Sequence, residues 1–344
     1  AAHEGFEAFL LIAPPKPSAQ DIANSFAQGK HFDAGYIIVA ALAERHRTGR
    51  GFADLIDERL MAGLFVLRRT SINDHAGITG LLEALESCIK TRGAWKDAMR
   101  LYHEPQFQAQ LESIDGLYAL MRDDAYAELG AELAAEWLDH FPNVSVASET
   151  ELTDRLISSG RLEVLRRAAV GRVGLAEDER RRNWEAIGLI IDFEQTSSRL
   201  EAFPIEPELL WHLRERAGGR FGDDISVTFT AAQLEWIVTI FRPLWPMAEH
   251  PRGGSYGDTN PWDASEYVKR SIQRLGNHAD EVAVDALIRL RDAPVDGYTL
   301  MLKIVAAEQT RIRVEAAYAP PSLAVLDAIT HSRPPVSIAD LQAL

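Results

Sequence analysis

Ala279-Asp280-Glu281-Val282-Ala283-Val284-Asp285-Ala286-Leu287-Ile288-Arg289-Leu290 decides how this chain is to be read. Ala279, Val282, Ala283, Ala286, Leu287 and Leu290 fall at offsets 0, 3, 4, 7, 8 and 11, which is one continuous apolar stripe on a helix of 3.6 residues per turn. A stripe of that width has to be covered by another helix. The same period recurs nearly end to end, and the sequence predicts helices over 18–28, 33–47, 52–69, 75–91, 94–102, 106–121, 123–140, 149–158, 160–171, 175–192, 206–217, 230–242, 264–276, 278–292, 297–316 and 322–331.

Helix starts carry their own marks. Ser18 with Asp21, Ser148 with Glu151, Thr230 with Gln233, Asp263 with Glu266 and Ser337 with Asp340 each set a short oxygen-bearing side chain three positions before one that can reach back to it, the capping arrangement or a near relative. Only Ile225-Ser226-Val227-Thr228-Phe229 alternates as a strand does, and without a pairing partner it reads as an extended lead-in to the Thr230 cap. Most connections are short, which turns each helix back on the one before it. The expected fold is therefore all-α. Stacked antiparallel helix pairs would form an irregular α-solenoid, a HEAT- or TPR-like superhelix, with an α/α toroid as the alternative. No strict period with a recurring motif marks the repeats. The expected division is an N-terminal helical half over 1–142, a second half over 143–318, and a connector to a further domain over 319–344. The sequence opens without an initiator methionine and stops inside what reads as a new helix, so a piece of a longer polypeptide is expected.

Charge and cysteine content narrow the function classes. With 36 Lys+Arg against 51 Asp+Glu the net charge is −15, a field that repels phosphate backbones unless the basic side chains gather on one face. The densest basic run, Arg180-Arg181-Arg182, follows directly on Glu177-Asp178-Glu179, the order of a solvated amphipathic helix. Nucleic acid is not an expected partner. A single cysteine, Cys88, excludes an internal disulfide and points to a reducing, cytoplasmic setting. It lies among Leu81, Leu82, Leu85 and Ile89 and reads as a buried structural thiol. No apolar run approaches the ~18 residues that cross a bilayer, and Phe9 to Ala13 is too short and lacks the basic flank of a signal peptide.

Chemical motifs are sparse. The Gly-Lys-Ser/Thr ending of a phosphate-cradling loop is absent, and Gly171-Arg172-Val173-Gly174 reads as a turn between helices. His-Glu-x-x-His is absent too, and the ten histidines are scattered, so no cofactor and no metal are expected. Asp123-Asp124-Ala125-Tyr126-Ala127-Glu128 is similar to the acidic start of a magnesium-binding helix in all-helical terpenoid enzymes, but its spacing is one residue too long and no second acidic motif accompanies it; the helix dipole explains the two aspartates.

The long break Pro243 to Trp262 is the first place to look for function, because structureless connections of that length often carry it. Trp245, His250, Arg252, Tyr256, Asp258 and Trp262 are its candidate partner-binding residues. His250, Asp258 and Asp263 would have to converge on a cation or substrate for chemistry. The competing reading has the two tryptophans plugging the loop into the helical stack while Asp263 caps the next helix.

Trp184-Glu185-Ala186-Ile187-Gly188-Leu189-Ile190-Ile191-Asp192, His250-Pro251-Arg252-Gly253-Gly254, Asn260-Pro261-Trp262-Asp263-Ala264-Ser265-Glu266, and Pro320-Pro321-Ser322-Leu323 with Ala339-Asp340-Leu341 resemble the helical region of large bacterial STAND-type NTPases of the NACHT group. The resemblance covers the second half of the chain and reaches the first half only in helical texture. It implies a non-catalytic sensor or scaffold arm in anti-phage or conflict defence, with a protein ligand and flanking domains as partners and self-association through the whole protein. The nucleotide-binding residues of that group have no matching positions here. The alternative is an all-helical enzyme acting on a carbohydrate or isoprenoid, which requires two carboxylates roughly 5 to 9.5 Å apart in an open cleft. A third reading is an architectural segment with no ligand of its own.

Overall fold

The structure, a computed structural model, describes residues 2–30, 33–70, 78–172, 178–218, 227–246, 260–278 and 281–292. Among these residues there is no strand, and the regular structure is helix throughout. The helices are α1 (Ala2–Leu11), α2 (Ala19–Ala27), α3 (Asp33–Arg47), α4 (Asp57–Arg69), α5 (Leu81–Thr91), α6 (Trp95–Gln108), α7 (Leu117–Arg122), α8 (Ala127–His140), α9 (Val146–Ser158), α10 (Leu162–Arg172), α11 (Asp178–Ile191), α12 (Phe193–Leu200), α13 (Leu209–Gly218), α14 (Ala231–Phe241), α15 (Pro261–Asn277) and α16 (Glu281–Asp292). The predicted helices 297–316 and 322–331 and the Ser337 cap lie outside the described residues.

The chain forms two compact units, Ala1–Val164 and Leu165–Leu344. Residues 141–148 lie inside the first unit. There α9 packs on α7 and α8, and Arg122 of α7 donates to Glu151 (2.9 Å) and Asp154 (2.7 Å) of α9.

In the first unit α4 is the central element. Arg59 to Leu67 are buried without interruption, the all-round burial of a helix with neighbours on every side. Its neighbours are α2, α3 and α5. Gly63 sets the approach to α3, since a Cβ there would stand 2.3 Å from Leu42 Cδ1. Arg59 is fully buried and has no carboxylate partner among the described residues. Its guanidinium lies 4.8 Å from the Phe9 ring and donates long bonds to the Phe9 (3.4 Å) and Ile12 (3.5 Å) carbonyls at the end of α1, where a helix dipole favours a cation. A second core gathers Phe107, Trp137, His103 and Tyr102, with neighbouring ring centroids 5.1 to 5.3 Å apart.

The capping boxes of α2 and α14 form as the sequence predicts, Ser18 with Asp21 and Thr230 with Gln233. Other expectations change. Ser145, not Ser148, caps α9, its hydroxyl accepting from the Ser148 amide (3.2 Å). The helix predicted to stop at residue 102 runs through Pro105 to Gln108. Proline removes one ladder bond near the helix end, and burial of Pro105, Gln106 and Phe107 offsets it. Val282, assigned to the deciding stripe, is 54% exposed, while Ala283, Ala286, Leu287 and Leu290 are buried.

In the second unit α11 packs on α12 and α13, and α14 on α15 and α16. The basic run of α11 is not a free solvated face: Arg181 and Arg182 both bind Glu206, at 2.6 and 2.5 Å. α12 was not predicted. Its buried positions are Thr196, Ser197 and Leu200, and it comes so close to α11 that a Cβ on Gly188 would stand 2.7 Å from Thr196 Oγ1.

Candidate functional site

Of the predicted loop residues, His250, Arg252, Tyr256 and Asp258 lie outside the described residues. Trp245 is half-buried, with its ring 6.1 Å from that of Trp211 on α13 and its amide bonded to the Phe241 carbonyl (3.0 Å). Trp262 is half-buried in the first turn of α15, and its carbonyl accepts from Ser265 Oγ (2.8 Å). Asp263 is not the cap. Asn260 Oδ1 accepts from the Asp263 amide (3.0 Å), and Asn260 Nδ2 donates to the Asp263 carboxylate (2.9 Å). Pro261 takes the first helical position, where a missing N–H costs nothing. The Asp263 carboxylate is thus engaged at the helix start.

The cleft with unspent surface groups lies elsewhere in the second unit, at the end of α12. It has a volume of about 260 Å³. Arg181 and Glu185 from α11, Arg199 and Leu200 from α12, Phe203 to Glu206 of the connection, and Leu209 opening α13 line it. Pro204 and Pro207 keep this connection from continuing the helix, so Phe203 is carried outward and is 71% exposed. Leu200 and Leu209 form a buried apolar floor.

The charges around this cleft divide into spent and unspent. Arg181 bridges Glu185 (3.2 Å) and Glu206 (2.6 Å), and Arg182 also holds Glu206. Hydrogen bonds from Arg182 and then Arg181 keep the Glu206 carboxyl below the usual carboxylate range. Next to the cleft, Glu201 accepts from Trp236 Nε1 (2.7 Å), tying the end of α12 to α14. Arg199, exposed on the rim, has no hydrogen bond or ion pair through its guanidinium among the described residues.

Other polar clusters are committed to the fold. In the first unit a cleft of about 160 Å³ is lined by Gln20, Asp97, Arg100 and Glu104 among others, but Arg100 is held by Glu136 (2.5 Å). Tyr102 donates a short hydrogen bond to Asp115, and Gln106 accepts from the Asp115 amide (2.9 Å), so both pin the turn after α6. Burial raises the Tyr102 phenol further above its usual range. His103, whose Nδ1 lies 2.8 Å from the Met99 carbonyl, is pushed down to about 4 by burial. Cys88 is half-buried rather than buried, on the flank of the α5 stripe beside Arg92. Among the described residues no three His, Cys, Asp or Glu side chains stand together as metal ligands would, and no helix is long and apolar enough to cross a membrane.

The sequence reading passed over Arg199 and Phe203. One signal was available: Phe203-Pro204-Ile205-Glu206-Pro207 sets apolar side chains between helix-stopping prolines. Comparison with known proteins finds no matching family model, no matching curated protein and no matching solved structure.

Proposed function

We propose that this chain is a non-catalytic helical scaffold that recognises a protein ligand, built as stacked helix pairs of the α-solenoid kind. The stacking is supported by where cross-helix bonds fall in the sequence. Lys96 to Glu132 and Arg100 to Glu136 span 36 residues, Trp137 to Glu104 and Ser145 to Glu112 span 33, and Trp236 to Glu201 spans 35. Contacts returning after one two-helix step are what a degenerate repeat of this length produces.

The observation that carries the binding reading is the contrast at the α12 cleft. Arg181, Glu185 and Glu206 are locked together, while an exposed phenyl ring and a guanidinium without an ion pair among the described residues stand on its rim. Aromatic and arginine side chains are the residue types that anchor protein interfaces. The enzyme reading is weaker here. Glu185 and Glu206 both line the cleft but share Arg181, and Glu206 is held as a carboxylate, whereas a general acid needs a raised pKa. A role as sensor or scaffold arm of a bacterial STAND-type NTPase, in the cytoplasm, rests on the resemblance of the four sequence stretches and belongs to the same proposal.

Selection of a random-peptide display library on the immobilised chain tests the class. A recurring consensus that binds in solution is the expected result. Failure to enrich any consensus would remove the ligand-binding reading, and release of nitrophenol from p-nitrophenyl glycosides, abolished by Glu185→Gln, would replace it with a hydrolase.

A further inference from the structure

We infer that the α12 cleft takes a short acidic, apolar segment of a partner protein, with a carboxylate on Arg199 and an apolar side chain against Phe203. This inference rests on the protein-binding reading and names the chemistry of the ligand. The pairing of the charges selects the sign. Arg181 and Arg199 stand against Glu185 and Glu206 in the lining, so its charges balance in number, but they are unequally committed: Arg182 joins Arg181 on Glu206 from outside the lining. The uncommitted group is localised. Glu206 is satisfied by two guanidinium groups and Glu185 by the Arg181 it shares, which leaves Arg199 as the group able to form a new pair without breaking an old one. A basic ligand would have to compete with Arg181 and Arg182 for Glu185 and Glu206, or with Trp236 Nε1 for Glu201.

The apolar half of the site is equally specific. Phe203 stands 71% exposed beside Pro204 and Ile205, above the buried Leu200 and Leu209. A volume of about 260 Å³ holds a few side chains, not a folded surface. A leucine or phenylalanine next to an acidic residue fills it, covering the exposed ring while its neighbour reaches the rim.

The test uses the intact chain with 4-fluorophenylalanine at position 203 and the synthetic peptide acetyl-Ala-Asp-Leu-Leu-Ala-amide, compared with analogues carrying asparagine or lysine in place of the aspartate. The acidic peptide shifts the fluorine resonance at roughly millimolar concentration. It binds about three- to fivefold more tightly than the asparagine peptide, the size expected of one charge pair open to water. Arg199→Gln removes that discrimination while leaving helicity by circular dichroism unchanged, because Arg199 is exposed and its guanidinium holds no ion pair among the described residues. Equal binding of the acid and amide peptides to the wild type overturns the inference, and so does tighter binding of the lysine peptide. Absence of any fluorine shift overturns it as well. A display consensus whose binding ignores position 203 would leave the scaffold reading standing and move the ligand to another surface.

Discussion

Gly63→Ala in α4 tests how closely α3 and α4 pack in the first unit. Two effects oppose each other. Alanine is favoured over glycine inside a helix by about 0.5–1 kcal/mol. Against that, the new Cβ would stand 2.3 Å from Leu42 Cδ1 and 3.6 Å from both Ile38 Cγ2 and Leu85 Cδ1. Leu42, Ile38 and Leu85 are all fully buried, so Leu42 has no open space to swing into, and overpacking of this kind costs about 1–3 kcal/mol. The balance is a net loss of about 1 kcal/mol, which increases the open population of α4 about fivefold. Amide hydrogen exchange of residues 57–69 reads that opening within the first unit alone, so cooperative unfolding of the whole chain need not be assumed. A double-mutant cycle supplies the internal control. In a Leu42→Ala background the obstructing methyl is gone, and Gly63→Ala should then stabilise α4 by up to ~1 kcal/mol through helix propensity. Gly63→Ala slowing exchange in the wild-type background would refute the close approach of α3 and α4.

Three further perturbations follow from the same packing. Trp137→Ala, which empties the centre of the Phe107, Trp137 and His103 cluster, should cost the first unit about 3–5 kcal/mol in hydrogen exchange of α8; a cost under ~1 kcal/mol would contradict its full burial. Arg59→Met should leave the first unit as stable as before or more stable by up to ~2 kcal/mol, because it relieves a buried guanidinium with no carboxylate partner among the described residues and gives up bonds of 3.4 and 3.5 Å; thermal unfolding showing a loss above ~3 kcal/mol would refute that account. Stability of the first unit should also fall as pH drops from about 6.5 to about 4. His103 is neutral in the fold down to about 4 because it is buried, whereas the unfolded chain takes up its proton near 6.5. Below this window its contribution is flat, and loss of the carboxylates held low by their partners, Asp21 and Glu132 among them, takes over. His103→Gln should flatten the slope between the two values, and a urea titration with unchanged slope would argue against the histidine.

What the sequence showed and what it hid have physical causes. The amphipathic helices were legible because their apolar residues repeat near 3.6, and the capping boxes at Ser18 and Thr230 because both halves of each reciprocal bond are written within four residues. α12 was hidden because Thr196 and Ser197, packed against Gly188, bury it with small polar side chains that no hydropathy pattern registers. The Asn260 and Ser145 caps were displaced from the expected Asp263 and Ser148 for a related reason: each cap accepts from the residue three positions on, so the acceptor and its N3 partner look alike in sequence. Nor could the basic run of α11 reveal its partner Glu206, which lies beyond α12. The candidate cleft was the least legible part, since Arg199 and Phe203 are distinguished by what their neighbours do, not by any motif. The residues expected to matter, from His250 to Asp258, lie outside the described part of the chain.

The claim that this chain holds a partner through the α12 cleft is tested most directly by calorimetric titration of the peptide selected by display. The titration is run on the wild type and on the Phe203→Ser, Arg199→Gln double variant, whose circular dichroism should match the wild type because both side chains are exposed. The account predicts a dissociation constant at least about tenfold larger for the double variant, the loss of an aromatic anchor and its neighbouring charge. An unchanged dissociation constant would contradict it.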